Sequence, residues 1–212
     1  MSGSKINVAK QAIDYIKDKL HPEMILGIGT GSTVNFFIEE LKDLRNNFAG
    51  AVSSSEASSR LLSENGIEVF NLNDISEIAF YIDGADEVAP NKELIKGGGG
   101  AHTREKIVAS AAKEFICIVD DSKIVTKLGA FPLPVEVIPE SRSLVARRIV
   151  SMGGVPEYRA GFTTDQGNQI LDVKEIDISD PKELETLLNT IPGVVDNGIF
   201  AFNKPSVVLV SK

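Results

Sequence analysis

Residues 24–44 read MILGIGTGSTVNFFIEELKDL. The apolar run MILGI at 24–28 has the length and composition of a buried strand. Gly29-Thr30-Gly31-Ser32-Thr33 follows, and then Val34, Phe37, Ile38 and Leu41 recur at helical spacing. Ser32 or Thr33 is placed to cap that helix. Strand, glycine turn and helix N-terminus in this order predict an α/β layer. The same turn can hold an anion, because unpaired N–H groups and the positive end of the helix dipole converge there. A dinucleotide fingerprint is not met. Counted from Gly27 its last glycine would be Ser32, and counted from Gly29 it would be Val34. The G-K-[ST] of a P-loop is also missing. The loop therefore suits a single phosphate, the alternative being a tight turn with a capping serine.

Outward from this core, residues 5–20 set Ile6, Ala9, Ile13, Ile16 and Leu20 on one helical face. His21-Pro22 ends that helix, since proline disfavours helix at the residue before it. Beyond the core come a strand end at 50–52, a serine-rich turn and a helix closed by Gly66. Two further strands are expected, IEVF at 67–70 and IAFYI at 78–82. The second delivers DGADEVAPNKELIKGGGGAHTRE, residues 83–105. Asp83 and Asp86 stand at a strand end, where open parallel sheets present their ligands. Their plainer role is turn chemistry. Lys96 precedes Gly97, Gly98, Gly99 and Gly100, a run that lets backbone approach an anion or simply forms a flexible surface loop. Glu105 lies in the first turn of the helix REKIVASAAKEF, either as a dipole complement or as a base. Ile107, Val108, Ala111 and Ala112 are its expected inward face. The strand FICIV at 115–119 leads to Asp120, Asp121 and Lys123.

The texture changes near residue 130, where AFPLPVEVIPE is rich in proline. Strand, helix, hairpin, helix and strand follow over 135–202, a ferredoxin-like α+β outline. The terminal SVVLV run is expected to rejoin the first sheet. The expected fold is a Rossmann-like, mostly parallel sheet flanked by helices over 1–129 plus 203–212. A small α+β domain, 130–202, is inserted before the last strand.

Composition narrows the function. The chain has 212 residues, 42% of them hydrophobic, and a net charge of −8. That charge argues against a broad basic face and so against a nucleic-acid partner. No apolar run approaches the roughly 20 residues that cross a bilayer, so no membrane partner is expected. The opening MSGSKINVAKQ lacks the apolar stretch of a signal peptide. The single cysteine, Cys117, sits in an apolar strand and suits a reducing, cytoplasmic setting. His21 and His102 have no metal-ligand spacing.

Several segments together resemble one family, the type A ribose-5-phosphate isomerases. They are GIGTGST at 27–33, SSSEAS at 53–58, DGADE at 83–87, KGGGGAHTREK at 96–106 and FPLPVEVIP at 131–139. GGVPEYR at 153–159 and IPGVVDNGIF at 191–200 extend the match over nearly the whole chain. The resemblance implies a cofactor-free aldose–ketose isomerase acting on a pentose 5-phosphate, and a homo-oligomer, with a homodimer expected over a tetramer. It assigns the proton acceptor to Glu105; by their chemistry Asp83, Asp86 and Lys96 are further catalytic candidates, the two acids for ring opening and for the proton between O1 and O2, and Lys96 for the enediolate oxygens. It assigns substrate contacts to Thr30, Gly31, Ser32, Thr33, Asp83, Gly84, Ala85, Asp86, Lys96, Gly97, Gly98, Gly99 and Lys123. An N-terminal lysine near the phosphate falls on Lys5 or Lys10. His102 departs from the family pattern, in which that position is usually apolar.

The chemistry fits these residue types. Moving a proton between adjacent carbons needs a base near the carbon and positive charge near the oxygen that becomes anionic. A sugar-phosphate sensor on the same fold would not need a base at Glu105. An acyl-transfer enzyme with a glutamate nucleophile would need a site for a large nucleotide, and no such motif is present.

Overall fold

Helix boundaries follow the local chemistry closely. The computed structural model describes residues 2–212. In chain order the elements are α1 (Ser2–Ile16), β1 (Ile25–Ile28), α2 (Ser32–Leu41), β2 (Gly50–Ser53), α3 (Glu56–Glu64), β3 (Ile78–Asp83), β4 (Glu87–Val88), β5 (Leu94–Ile95) and α4 (His102–Ala111). They continue with β6 (Ala112–Asp120), β7 (Leu133–Val137), α5 (Arg142–Ser151), β8 (Val155–Tyr158), β9 (Gln169–Lys174), α6 (Pro181–Asn189), β10 (Val194–Asn197), β11 (Ile199–Phe200) and β12 (Val207–Ser211). Ser55 caps α3 by accepting from Ser58 N at 3.1 Å, and Asp180 caps α6 by accepting from Glu183 N at 3.0 Å. Gly66, with φ +72°, follows α3 as a left-handed terminator.

The chain divides into two compact units. The first comprises 1–84, 104–123 and 205–212; the second comprises 85–103 and 124–204. Residues 85–103, 124–129 and 203–204, grouped by sequence with the first unit, fall in the second.

In the first unit the strands run in the order β12-β6-β3-β1-β2, all pairings parallel. This is the Rossmann-like sheet, and the C-terminal β12 does rejoin it beside β6. Leu26 and Ile28 of β1 point into a core with Val8, Ala9, Ala12 and Ile16 of α1 and Val34, Phe37, Ile38 and Leu41 of α2. Gly27 points to the opposite face, where a Cβ would come 2.8 Å from Val108 of α4. Helices thus cover both faces, as parallel sheets require. The chain leaves β1 towards β2 on one side, while β3 leads to β6 on the other. The β1–β3 seam is therefore the topological switch point, where such sheets bind ligands.

In the second unit β10-β7-β9-β8 form an antiparallel sheet. With α5 and α6 this is the ferredoxin-like βαββαβ order. Val135, Val137, Val145, Ile149, Leu171, Val173, Leu184 and Leu188 build its core. A smaller sheet, β11-β5-β4, completes the unit.

Some expectations need correction. Residues 67–70 do not form a strand; only Val69 bridges Ala51, because Glu68 and Phe70 point their backbone bonds at Ala51 alone. The first helix stops at Ile16, and 17–19 tighten into one 3₁₀ turn before His21-Pro22. The inward face of α4 is also different. Ile107 is 50% exposed and Ala111 is exposed, whereas His102, Glu105, Lys106, Val108 and Ala109 are buried.

Candidate active site

In the first unit the candidate groups gather at the carboxyl ends of β1, β3 and β6. Period-two alternation puts Tyr81 and Asp83 on one face of β3, and Tyr81 is in register with Gly27. That is the face α4 covers. Glu105 lies one turn before Val108, on the same side of the helix.

Asp83 is fully buried. Its Oδ1 accepts from Thr30 N at 3.1 Å and from Gly84 N at 2.7 Å. Its Oδ2 accepts from the Tyr81 hydroxyl in a short hydrogen bond. Gly29 is what allows this approach: a Cβ there would sit 2.0 Å from the Asp83 carboxyl carbon. Thr30 Oγ1 and Ser54 Oγ share a hydrogen bond of 2.9 Å, and the Ser58 hydroxyl donates to Gly29 O at 2.7 Å. The glycine turn is thereby tied to β3 and to the serine-rich turn.

The Tyr81 phenol has its pKa held well above the ordinary value of 10.0. Burial is the main cause, followed by the carboxylates of Asp83 and then Glu105. Tyr81 thus stays a neutral donor set between two carboxylates. The sequence alone gives Tyr81 no role beyond its place in the strand IAFYI; its position two before Asp83 is the available signal.

The turn after β1 does not use a serine cap. Gly31 is the N-cap of α2, at φ +114°, and no side chain caps the helix. Ser32 and Thr33 instead occupy its first turn, which leaves the first N–H groups free of a side-chain cap. Lys5 Nζ donates to Ser32 Oγ at 2.7 Å, whereas Lys10 lies 3.9 Å from Glu40. Lys5 is therefore the N-terminal lysine at this turn. Lys123 joins the same neighbourhood. The Asp120 carboxyl is held below its usual range by the Ser122 hydroxyl first, with smaller help from Lys123 and Lys5.

In the second unit the remaining candidates cluster around the glycine run. Asp86 Oδ2 accepts from Gly98 N at 2.8 Å, and Asp86 N donates to Ile95 O at 2.9 Å. Lys96 is buried, and its backbone N donates to Gly198 O at 2.9 Å. Its ammonium lies 5.5 Å from the centre of the Phe200 ring. Gly97 and Gly100 adopt positive φ and are buried, while Gly98 and Gly99 are exposed. Ala85 precedes this cluster at the unit boundary. His102 packs: it is fully buried, with Nε2 3.3 Å from Asp196 O.

Among the buried carboxylates that the sequence alone does not single out are Glu87 and Glu136. Glu87 accepts from Gly129 N at 2.7 Å and Phe131 N at 2.6 Å, fixing the proline-rich segment. Glu136 accepts from the Thr103 hydroxyl in a short bond, from Thr164 Oγ1 at 2.8 Å and from Asn168 Nδ2 at 2.9 Å. It anchors Thr103, the second residue of α4.

Residues 50–212 match the model of the family described as Ribose 5-phosphate isomerase A (phosphoriboisomerase A). A relative from Legionella pneumophila strain Corby, Ribose-5-phosphate isomerase A, is 56% identical over 100% of this chain and 96% of its own length. The crystal structure of ribose 5 phosphate isomerase A from Neisseria gonorrhoeae is similar at TM-score 0.92 and 47% identity, covering 99% of this chain and 94% of that one. A D-ribose-5-phosphate isomerase in complex with phospho-erythronic acid is similar at TM-score 0.89 and 37% identity, covering 98% and 93%.

Proposed function

Since the chain belongs to the ribose 5-phosphate isomerase A family, we propose that it interconverts D-ribose 5-phosphate and D-ribulose 5-phosphate through an enediolate. Its place is the non-oxidative branch of the pentose phosphate pathway. The observation that carries this reading is the burial of Glu105 on the α4 face that covers Tyr81 and Asp83. A carboxylate so placed has lost water and has a phenol and a second carboxyl group as neighbours, which suits a general base.

Glu105 takes the proton from C2 of the open-chain aldose and returns it to C1. Lys96 and the N–H groups of Gly97 and Gly99 neutralise the oxygens of the enediolate, while the Gly98 N–H holds Asp86. Asp83 and Asp86 serve ring opening and the movement of the proton between O1 and O2. The phosphate binds at Thr30, Gly31, Ser32 and Thr33, with Lys5 and Lys123 supplying charge. Gly84 and Ala85 line the sugar. Binding energy at the phosphate holds the reacting carbons in place.

The relative solved with phospho-erythronic acid supports a sugar-phosphate ligand. No helix among the described residues is long and apolar enough to cross a membrane. We read the active species as a cytoplasmic homodimer without cofactor or nucleic-acid partner, and light scattering on the purified protein tests the dimer. Incubation with ribose 5-phosphate tests the activity: ketose is expected to accumulate, and its failure to form contradicts the reading.

A further inference from the structure

One guanidinium holds the glycine run from its carbonyl side. Arg159 follows β8, and its backbone N–H donates to Ile170 O at 2.9 Å. Its side chain pairs with Asp172 of β9 at two points, Nε to Oδ2 at 2.8 Å and Nη2 to Oδ1 at 2.5 Å. The fork is then turned onto the glycines. Nη1 and Nη2 each donate to Gly97 O at 3.2 Å, and Nη1 also donates to Gly98 O at 3.2 Å. The pair is largely withdrawn from water, with side chains 17% and 23% exposed. Phe162 lies under the same guanidinium, 5.3 Å from ring centre to Cζ, and packs against Gly100.

A trans peptide points its C=O and N–H to opposite sides. Gly97 O shares a peptide with Gly98 N, and that N–H donates to Asp86 Oδ2 at 2.8 Å. Gly98 O shares a peptide with Gly99 N, so the Gly99 N–H is turned away from Arg159. Gly99 is exposed, and a Cβ on it would meet nothing within 4 Å. A positive charge on the two carbonyls also polarises both peptides and strengthens their N–H groups as donors.

We propose that Arg159, oriented by Asp172, is a positioning residue for the isomerisation. It aims the Gly98 N–H at Asp86 and the Gly99 N–H at the oxygen that becomes anionic in the enediolate. This rests on the isomerase reading above. Arg159 acts through the glycine run rather than on substrate. A lysine cannot replace it, because one ammonium cannot serve a carboxylate and two carbonyls in a fixed plane.

The test uses Arg159→Met, Arg159→Lys and the isosteric Asp172→Asn in the full chain. Turnover of ribose 5-phosphate is read beside the affinities for phospho-erythronic acid and for inorganic phosphate. The carboxylate of phospho-erythronic acid presents a planar, anionic oxygen pair much as an enediolate does, and inorganic phosphate does not. Arg159→Met and Arg159→Lys should lower kcat roughly 10²-fold, the scale of a misplaced reacting geometry. Asp172→Asn should lower it about tenfold, the loss of one charge-assisted hydrogen bond. All three should weaken phospho-erythronic acid while inorganic phosphate affinity holds within about twofold, since uniform binding is untouched. Turnover unchanged in Arg159→Met and Asp172→Asn, or an equal loss of both ligands, overturns the proposal. Should Arg159→Met fail to fold, Asp172→Asn decides. If the wild-type protein shows no isomerase activity, the functional reading falls, and the contrast between the two ligands still decides the role of Arg159.

Discussion

The Tyr81 hydroxyl donates to the Asp83 carboxylate two residues further along β3, on the face that α4 and Glu105 cover. Burial and the two carboxylates keep that phenol protonated far into the alkaline range. Asp83 thus keeps a fixed donor on one oxygen and two backbone donors on the other.

Removing the hydroxyl isolates this contribution. Tyr81→Phe keeps the ring and its contact with Phe115, 5.0 Å between centres. It should cost about 1.5–3 kcal/mol in urea unfolding, the usual worth of a hydrogen bond to a charged group. The pH dependence has a definite sign. The phenol pKa is raised in the folded state, so the native protein holds its proton when the unfolded chain has lost it near 10.0. The stability of the wild type should therefore decline as pH rises above about 10. Tyr81→Phe should lose less over the same range. Equal alkaline slopes for both proteins would contradict the assignment.

Gly29→Ala tests the close approach of the first turn to β3. The added Cβ would lie 2.0 Å from the Asp83 carboxyl carbon and from Oδ1. The strain should destabilise the fold by about 1–3 kcal/mol, as overpacking does, and displace Asp83. Thermal unfolding and turnover should fall together; a variant with normal values of both would contradict the geometry.

Lys5 and Lys10 should behave differently. Lys5 donates to Ser32 at the start of α2, while Lys10 stands by Glu40 on an exposed surface. Lys5→Met should raise KM for ribose 5-phosphate about tenfold, a loss near 1.4 kcal/mol. Lys10→Met should leave KM unchanged. Steady-state kinetics on the two variants checks the contrast.

The proposed chemistry needs only side chains and backbone donors. Turnover should survive prolonged exposure to EDTA. Inactivation by EDTA that Mg²⁺ or Zn²⁺ reverses would contradict it.

The first turn was legible because its strand and helix obey simple periodicity and its glycines stand between them. Val34, Phe37, Ile38 and Leu41 are all buried as their spacing predicts. The cap was misread: Gly31 takes the N-cap at φ +114°, and Ser32 is released to meet Lys5. The α4 helix was misread for a deeper reason. Its buried face carries His102, Glu105 and Lys106, polar groups held inside by specific partners, so hydrophobic periodicity pointed to Ile107 and Ala111 instead. The two-residue strands β4, β5 and β11 are too short for any period to register. Glu136 was hidden because three of its donors lie 28 to 33 residues away, a pairing that only the fold creates.

The central claim is that Glu105 carries a proton between C2 and C1. Isomerisation in D₂O, with carbon-bound deuterium followed by NMR in wild type and Glu105→Gln, tests it most directly. In the wild type the hydrogen delivered to C1 of the ketose comes from the Glu105 carboxyl, as the original C2 proton or, where that carboxyl exchanges first, as solvent deuterium, and Glu105→Gln should lower both turnover and any exchange by about 10²–10⁴ or more. Near-normal turnover or exchange in Glu105→Gln would contradict this role.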